Sequence, residues 1–579
     1  MIKVLMKSIR EYKKPSILSA VFIALEVIIE CIIPIVMAQF IDEMTGSDMN
    51  VIVKYAIILI FMALTSLLFG TLSARVAATA SCGFAKNLRQ DLYFKVQDFS
   101  FSDIDKFTSA SLVTRLTTDV TNIQNAYQII IRMAIRTPLM IIFCFIMSFL
   151  INVKLSLIFL AVIPIFGVVL FAIVLKVHPI FKRIFKKYDA LNNSIQENIA
   201  GIRVVKSFAR EDYENEKLQK ESASVRDDFT RVEKIIALNN PFMMFALYSV
   251  MLLLSFFGSK MIINSAGLDF TTGEFSSLIN YGVQVLISTM MLSMVFVMIV
   301  ISEESAKRIA EVLVHEPTLV SPENGLKTVN DGSISFKNVS FKYSKDAKKY
   351  ALKNINLDIK SGQTIGILGG TGASKTTLIQ LISRLYDTTD GEVLVGGKNV
   401  KEYDLETLRN EVAVVLQKNV LFSGTIKENL RWGNKEASDE ELVRVCKLAQ
   451  ADEFVSQFPD KYDTYIERGG TNVSGGQKQR LCIARALLKK PKILILDDST
   501  SAVDTKTDAL IRKAFLEEIP DTTKIIIAQR VSSIQDADKI IVLEGGEIVE
   551  CGNHQELINN GKIYKEVFES QNKGFGGDN

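Results

Sequence analysis

Apolar residues are concentrated in long runs up to about residue 300, and polar, basic stretches separate these runs. A helix that crosses a membrane needs about 20 mostly apolar residues. Six segments meet this requirement, at residues 16–40, 55–76, 135–151, 155–177, 241–263 and 278–301. The pattern therefore predicts an all-α membrane domain of six helices over residues 1–301.

Two connections between these helices, residues 75–132 and 176–240, are long, polar and rich in Lys and Arg. Their apolar positions repeat with helical periodicity, which predicts helices that continue well beyond the bilayer. At the tips, residues 99–107 and 205–213 are candidates for short crosswise helices that contact the second half of the chain. The basic connections predict that both termini and the C-terminal half are cytoplasmic, and the composition suits a bacterial inner membrane.

The pattern changes from residue 331 to short β runs and amphipathic helices, which predicts an α/β domain over residues 331–571. Residues 302–330 are predicted to be a linker, and residues 572–579 a flexible tail. The net charge of +3 is too small to indicate a nucleic-acid partner. The six cysteines show no metal-ligand spacing, so we expect reduced thiols.

A phosphate-binding loop follows the apolar run 364–368 and precedes a helix, which is the context that such a loop requires. Lys375 is predicted to reach the β- and γ-phosphates of ATP. Ser374 stands where the pattern wants glycine, and its side chain either crowds the loop or adds a hydrogen bond. The loop residues predicted to bind ATP are Gly369, Gly370, Thr371, Gly372, Ala373, Ser374, Lys375, Thr376 and Thr377.

Three further residues complete a predicted site for ATP and Mg²⁺. Asp497 ends the apolar run 493–496 and is predicted to coordinate Mg²⁺ together with the Thr376 hydroxyl. Gln417 is a candidate third ligand of the metal, and Tyr343 is a candidate to stack on the adenine ring.

The segment 473–480, with the sequence VSGGQKQR, resembles the signature sequence of ABC transporters. Its order relative to the phosphate loop, Gln417, Asp497 and the segment 501–504 matches that family. The resemblance implies a half-transporter of the ABC exporter (type IV) fold, in which a six-helix membrane domain precedes one α/β P-loop ATPase domain. It also implies a dimer, because two ATPase domains of this family sandwich two ATP molecules head to tail.

The same resemblance assigns the signature segment to the nucleotide of the second subunit. Each site in the family combines the phosphate loop of one chain with the signature segment of the other. The residues that would serve the partner's ATP are Ser474, Gly475, Gly476 and Gln477.

Besides Ser374, two residues depart from the family pattern within this chain's own site. Asp498 stands where a catalytic glutamate orients the attacking water, and Gln529 stands where a histidine is expected. Aspartate is one methylene shorter, so its carboxylate lies about 1.5 Å further back. General bases and water-positioning groups contribute about 10²–10⁴-fold in rate. The site is therefore predicted to bind ATP but to hydrolyse it slowly.

In this respect the chain resembles the degenerate-site subunit of bacterial heterodimeric multidrug ABC exporters. The implied function is ATP-driven export of hydrophobic or amphipathic compounds, with a homologous half-transporter that supplies an intact catalytic glutamate and switch histidine. Three alternatives stay open. Asp498 and Gln529 are tolerated variants in a homodimer, the chain is a homodimeric lipid flippase, or it is an ATP-gated channel or sensor.

Several residues of the membrane helices are candidates to contact a small hydrophobic, cationic or peptide cargo. Two acids, four residues apart on one helix face, either bind a cation or have a structural role, in a wet cavity or paired with Lys or Arg. A methionine stripe on the sixth helix either binds ligand or packs. Arg132 and Arg136 are expected to snorkel to lipid headgroups. The cargo candidates are Glu26, Glu30, Gln284, Met290, Met294 and Met298.

Overall fold

The structure, a computed structural model, describes residues 1–44, 49–265, 267–344, 347–499 and 502–573. The chain divides into two compact units, the first formed by Met1–Asp98 with Thr108–Glu316, and the second by Phe99–Phe107 with Pro317–Asn579. From residue 574 onward, the tail predicted for residues 572–579 lies outside the described residues.

The first unit is built of helices joined by short connections, and its described residues contain no β-strand. The helices up to residue 316 are α1 (Ile2–Leu5), a 3₁₀ helix (Met6–Tyr12), α2 (Lys13–Glu43), α3 (Met49–Gln97), α4 (Phe101–Phe107, which belongs to the second unit), α5 (Ser109–Thr114), a π-helical turn (Arg115–Asp119), α6 (Val120–Ile151), α7 (Val153–Ala200), α8 (Ile202–Ser207), α9 (Glu211–Ile236), α10 (Asn239–Ser265) and α11 (Thr272–Val314).

Six helical stretches of the described chain are long and apolar enough to cross a membrane, as the sequence predicts. Their outward faces are apolar. On α3, for example, Ile57, Phe61, Leu64 and Leu68 are exposed at helical spacing. Such a stripe is costly in water but suits contact with lipid chains, and the helical backbone satisfies its own hydrogen bonds there.

Two predicted boundaries are wrong. Helix α11 continues to Val314, so no linker begins at residue 302; its buried positions, among them Ile309 and Ala310, keep the helical period after the apolar run ends. The second crosswise helix is α8, which covers only the start of the predicted segment 205–213. The later residues instead begin α9, whose first turn is acidic and therefore suits a helix N-terminus.

The π-helical turn before α6 is held against α11 by a buried carboxylate. Asp119 is fully buried and accepts a hydrogen bond from the Ser305 hydroxyl at 2.8 Å. It also accepts from the Arg308 guanidinium, with Nε at 2.8 Å. Both partners lie on α11, so one side chain joins two long helices of the first unit.

The second unit contains three sheets and a set of short helices. Its strands are β1 (Ile334–Phe341), β2 (Leu352–Ile359), β3 (Thr364–Gly369), β4 (Asp390–Val395), β5 (Lys398–Asn399), β6 (Val412–Val415), β7 (Gly424–Thr425), β8 (Tyr465–Ile466), β9 (Ile493–Asp497), β10 (Thr523–Ile527), β11 (Lys539–Glu544) and β12 (Glu547–Gly552). Its helices after α4 are α12 (Lys375–Ile382), α13 (Leu405–Glu411), α14 (Ile426–Leu430), α15 (Asp439–Leu448), α16 (Asp452–Gln457), α17 (Gly475–Leu487), α18 (Thr505–Glu518), α19 (His554–Asn560) and α20 (Ile563–Lys573).

The largest sheet has the strand order β12-β11-β3-β10-β9-β6. The strands from β11 to β6 are parallel, and β12 pairs antiparallel to β11. Strands β9 and β10 are buried at every position, as expected for a parallel sheet covered on both faces. The carboxyl ends of β3, β10, β9 and β6 consequently meet at one edge, which is where open α/β sheets bind ligands.

Helix α4 is the predicted crosswise helix at residues 99–107, and it packs on the second unit as the sequence predicts. The Tyr386 hydroxyl donates to Asp105 Oδ2 at 2.7 Å, and the Tyr386 ring meets the Phe101 ring edge-on at 6.1 Å. At the start of the helix, Asp103 accepts from the Thr318 backbone N–H at 3.1 Å. These contacts fasten a segment between α3 and α5 to the α/β unit.

We expect Asp119→Ala to destabilise the first unit by about 1–3 kcal/mol, because buried donors lose their acceptor. Asp119→Asn keeps an acceptor for Ser305 and should cost less. Denaturation in detergent, followed by circular dichroism, measures both changes. The exposed Asp98→Ala is the matched control and should stay within about 0.5 kcal/mol of the parent. An unchanged midpoint for Asp119→Ala would contradict the structural role.

Candidate functional site

The phosphate loop leaves β3 at Gly369 and enters α12 at Lys375. The Lys375 ammonium donates to the carbonyl oxygens of Gly369 at 2.8 Å and Gly370 at 2.9 Å. Burial lowers the pKa of Lys375, and the carboxylates of Asp497 and Asp498 act in the opposite direction. The lysine is thus folded onto its own loop, at the N-terminus of a helix, where an anion would bind.

Ser374, the departure from the loop pattern, has left-handed backbone geometry with φ of 69°. A residue with a Cβ is strained in this region, whereas glycine is not. The Ser374 side chain makes no capping hydrogen bond to α12 among the described residues. Beside the two alternatives of crowding and an added hydrogen bond, the structure thus shows a third effect at Ser374, which is backbone strain.

Asp497 and Thr376, the predicted Mg²⁺ ligands, contact each other directly. The Thr376 hydroxyl donates to Asp497 Oδ2 at 2.8 Å, and Asp497 is only 2% exposed. Burial raises the pKa of the Asp497 carboxyl, against the lowering effect of the Thr376 hydrogen bond. A hard cation prefers such carboxylate and hydroxyl oxygens, so the pair fits Mg²⁺.

Asp498 and Gln529, the two unusual residues, are hydrogen-bonded to each other. Gln529 Nε2 donates to Asp498 Oδ2 at 2.9 Å, and the Asp498 backbone N–H donates to the Ile527 carbonyl at 3.0 Å. Burial raises the pKa of the Asp498 carboxyl, and the side-chain amides of Gln417 and Gln529 lower it. The pairing of β9 with β10 brings together two residues that lie about thirty positions apart in the chain.

Tyr343, the candidate to stack on adenine, follows β1 and is 51% exposed. Its hydroxyl is 2.7 Å from Thr377 Oγ1, at the start of α12. The ring also meets Tyr386 edge-on, with centroids 5.3 Å apart. Tyr386 is the residue that contacts α4, and sequence reasoning missed it because its role depends on this packing alone.

The signature segment forms the N-terminus of α17, where Ser474 caps the helix. Ser474 Oγ accepts from the Gln477 backbone N–H at 3.3 Å, and the Ser474 N–H donates to Gln477 Oε1 at 2.9 Å. This reciprocal pair is a capping box. A Cβ at Gly476 would lie 2.8 Å from the Ala502 carbonyl oxygen, so the close approach requires glycine there. Ser474 and Gly475 are exposed.

The structure brings most of the predicted ATP residues together around one cavity of about 280 Å³. Its lining consists of Thr371, Gly372, Ala373, Ser374, Lys375, Thr376, Thr377, Gln417, Asp497, Asp498, Ile527 and Gln529. Gly369, Gly370, Tyr343 and the signature residues do not line this cavity.

In the membrane unit, the two candidate acids are paired with Arg136. Its Nη1 donates to Glu26 Oε1 at 2.5 Å, and its Nη2 donates to Glu30 Oε2 at 2.7 Å. The expectation that Arg136 snorkels to headgroups is therefore wrong, because two carboxylates on α2 hold it inside the helix bundle. The sequence feature that could have indicated this pairing is the position of Arg136, at a similar depth to the two acids on another membrane helix.

The other cargo candidates do not converge on the acids. Gln284 Oε1 accepts from the Cys144 thiol at 3.3 Å. Met290 and Met294 line an apolar cavity of about 320 Å³ formed by residues of α7, α9, α10 and α11, whereas Met298 does not. All six cysteines are free thiols.

Comparison with known proteins identifies both units. Residues 16–300 match the family model described as the ABC transporter transmembrane region, and residues 352–501 match the model described as ABC transporter. The Bacillus subtilis ABC transporter ATP-binding protein YfiB is 35% identical over 572 residues, which is 98% of each chain. YknU of the same organism is 36% identical over 488 residues, covering 84% of this chain and 82% of YknU.

One solved structure has the same fold. It is the structure of a bacterial Atm1-family ABC exporter with ATP bound, which superposes with a TM-score of 0.83 at 22% identity and covers 97% of this chain and 98% of that one. The predicted fold class, six membrane helices followed by an α/β nucleotide-binding domain, is confirmed.

We expect Ser374→Gly to bind ATP at least as tightly as the parent, because glycine adopts the left-handed conformation without strain. The strain at a non-glycine residue costs about 1–3 kcal/mol. Ser374→Ala is the matched control, since it removes the hydroxyl but keeps the Cβ and should not improve binding. Titration with a fluorescent ATP analogue measures all three proteins. If glycine weakens binding and alanine does the same, the hydroxyl and not the strain is what matters.

We expect Asp497→Asn to raise the thermal stability of the nucleotide-free protein, while abolishing its stabilisation by Mg²⁺ and ATP. The folded-state pKa of Asp497 is raised, so its ionised form costs stability at neutral pH. That cost disappears as the pH falls below the unfolded-state pKa, so parent and variant should converge in acid. Thermal melts across pH test this. Asp504→Asn, at a carboxyl whose pKa is lowered by the Thr507 backbone N–H, is the control and should show no gain.

Proposed function

Since the chain belongs to the ABC transporter family and joins its transmembrane region to its ATPase domain, we propose that it is one subunit of an ATP-driven exporter. The second subunit is a homologous half-transporter with an intact catalytic glutamate and switch histidine. The cargo is a hydrophobic or amphipathic compound, exported across the cytoplasmic membrane. This chain's own nucleotide site holds ATP and hydrolyses it slowly.

The hydrogen bond between Gln529 and Asp498 is the observation that carries this proposal. It ties the short carboxylate to an amide, through Asp498 Oδ2 at 2.9 Å. An amide does not accept a proton near neutral pH, whereas an imidazole does. The pair of Asp498 and Gln529 is therefore poorly suited to activating water. The loss of a general-base or water-positioning group costs about 10²–10⁴-fold, or roughly 3–5 kcal/mol of barrier.

The rest of the nucleotide site supports retention of ATP. Lys375 is already at the loop, where it would exchange the carbonyls of Gly369 and Gly370 for phosphate oxygens. Thr376 and Asp497 would hold Mg²⁺, which screens the negative charge of the phosphates when it is bound. The lysine, hydroxyl and carboxylate that bind ATP and Mg²⁺ are thus present, and the two residues next to the attacking water are altered.

The signature segment supports a partner with a competent site. Ser474 and Gly475 are exposed at the N-terminus of α17, and their segment does not line the cavity of their own phosphate loop. A helix N-terminus with free N–H groups suits a phosphate. We infer that it completes the catalytic site of the second subunit, whose hydrolysis would drive transport.

Two other functions fit the family. A homodimer, as pump or lipid flippase, would contain two altered sites and turn over slowly. An ATP-gated channel or sensor would use bound ATP without pumping. In reconstituted vesicles, a pump accumulates cargo against its gradient only with hydrolysable ATP, whereas a channel only equilibrates it.

We expect the purified chain alone in lipid to have very low ATPase turnover, and Asp498→Glu with Gln529→His to raise it by about 10²-fold or more. The glutamate restores the reach of the carboxylate, and the imidazole replaces the amide that now holds it. Release of inorganic phosphate measures the rate, with ATP affinity determined in parallel.

Asp498→Asn with Gln529→His is the matched control, since it restores the imidazole without a carboxylate and should stay inactive. Many turnovers per second by the unmodified chain would contradict the heterodimer and favour a self-sufficient homodimer. Unchanged low turnover in the double variant, with ATP still bound, would mean that the defect lies elsewhere in the site.

A further inference from the structure

Three charged side chains meet midway along the first and third long membrane helices. Glu26 and Glu30 lie one turn apart on α2, and Arg136 lies on α6. Arg136 Nη2 reaches both oxygens of Glu30, at 2.9 and 2.7 Å, and Nη1 reaches Glu26 Oε1 at 2.5 Å. We call these three residues the charge triad.

The charge triad has a surplus of one negative charge, because two carboxylates face one guanidinium. Glu26 is 9% exposed, and its Oε2 atom is buried with no hydrogen-bond partner among the described residues. Gly70 of α3 packs against this carboxylate, and a Cβ there would lie 3.0 Å from Oε1. An unbalanced charge inside a membrane helix bundle is expensive, so such residues usually serve a function.

One side of the charge triad is open. The side chains of Arg136 and Glu30 are 23% and 24% exposed, so another molecule can approach the ion pair between them. Nearby positions on the same two helices, Val27 and Met140, are buried and apolar. The surroundings therefore suit a molecule with an apolar body and one charged group.

We propose that the charge triad binds the positively charged group of an organic cation, an ammonium or a guanidinium, and that Arg136 is a built-in competitor for that site. The contacts of Arg136 show which chemistry the two carboxylates recognise, namely a compact cation with several N–H donors. An incoming cation takes over contacts that Arg136 makes with Glu30. It also supplies the positive charge that balances the second carboxylate of the charge triad. As an assignment of cargo class, this inference rests on the proposed export function.

A metal ion is a poorer fit to the same residues. No group of three or more His, Cys, Asp or Glu side chains that could hold a metal occurs among the described residues. Calcium takes six to eight oxygen ligands, whereas the charge triad offers four carboxylate oxygens, three of which already accept from Arg136. A purely structural ion pair is the competing explanation. It predicts that loss of Arg136 does not strengthen the binding of an organic cation.

The test measures binding to the full chain in nanodiscs of phosphatidylglycerol, a lipid without an ammonium headgroup, after subtraction of the binding to protein-free nanodiscs, because this anionic lipid itself attracts cations. The probes are radiolabelled octylguanidinium and its neutral isostere octylurea, which share size and shape. No nucleotide is added, so the result does not depend on ATP hydrolysis or on a second subunit.

We expect octylguanidinium to bind at least about tenfold more tightly than octylurea, the difference of one charge-assisted hydrogen bond. Glu30→Gln should weaken its binding by about tenfold for the same reason. Arg136→Gln should strengthen it by about tenfold, because the competitor is removed. Glu43→Gln, an exposed acid at the end of α2, is the control and should leave binding unchanged.

Equal binding of the two probes would overturn the inference, as would weaker binding to a folded Arg136→Gln protein. If Arg136→Gln does not fold, Arg136→Lys replaces it; lysine keeps the charge but loses the planar fork, so binding should be tighter than in the parent. Weaker or equal binding to Arg136→Lys would also overturn the inference. The ATPase test of Asp498→Glu with Gln529→His can succeed or fail independently of these results.

Discussion

The nucleotide site of this protein depends on two carboxylates at the carboxyl end of β9, which have to be satisfied beside a buried strand. The strand is fully buried, so its acids have to be neutralised or hydrogen-bonded where they emerge. Each is satisfied by a residue beside the strand end: Asp497 by Thr376 in the first turn of α12, and Asp498 by Gln529, which follows β10. Nucleotide binding therefore exchanges existing polar contacts for new ones, and the strength of each existing contact determines how easily that exchange occurs.

The contact of Asp497 with Thr376 and the contact of Asp498 with Gln529 differ in what holds the carboxylate in place. Thr376 and Asp497 present oxygens that a metal ion can take over without any change in the strands that hold them. Asp498 is instead fixed by its backbone, with φ of 48° and an N–H bonded to Ile527, and its short side chain stays beside the Gln529 amide. The proposal that this site holds ATP and hydrolyses it slowly rests on this combination, in which groups suited to binding ATP lie beside an aspartate and a glutamine where the family has a glutamate and a histidine.

Much of the nucleotide site is predictable from the sequence because its motifs resemble those of ABC transporters. The resemblance placed Lys375, Asp497 and Gln529 in one site, and the structure gives the physical reason, since the parallel strands that precede them end at one edge of the sheet. The left-handed conformation of Ser374 and the contact of Tyr386 with α4 could not be predicted, because both depend on backbone geometry and packing. The same limit explains the boundary errors, since an apolar run ends near residue 301 while α11 continues to Val314 on a buried stripe.

The carboxylates of the charge triad, like those at the end of β9, have to be neutralised or hydrogen-bonded, but they lie in a membrane helix bundle where water is scarce. A carboxylate at the sheet edge can be relieved by water, whereas Glu26 lies within a membrane helix and one of its oxygens has no partner among the described residues. Its acids and its arginine lie on different helices, α2 and α6. If a cation competes with Arg136, its affinity must depend on the spacing of these two helices, because that spacing sets how well the arginine reaches both acids. Any step of a transport cycle that moves α6 away from α2 would weaken the internal competitor and strengthen cation binding, and any step that closes them would expel the cation.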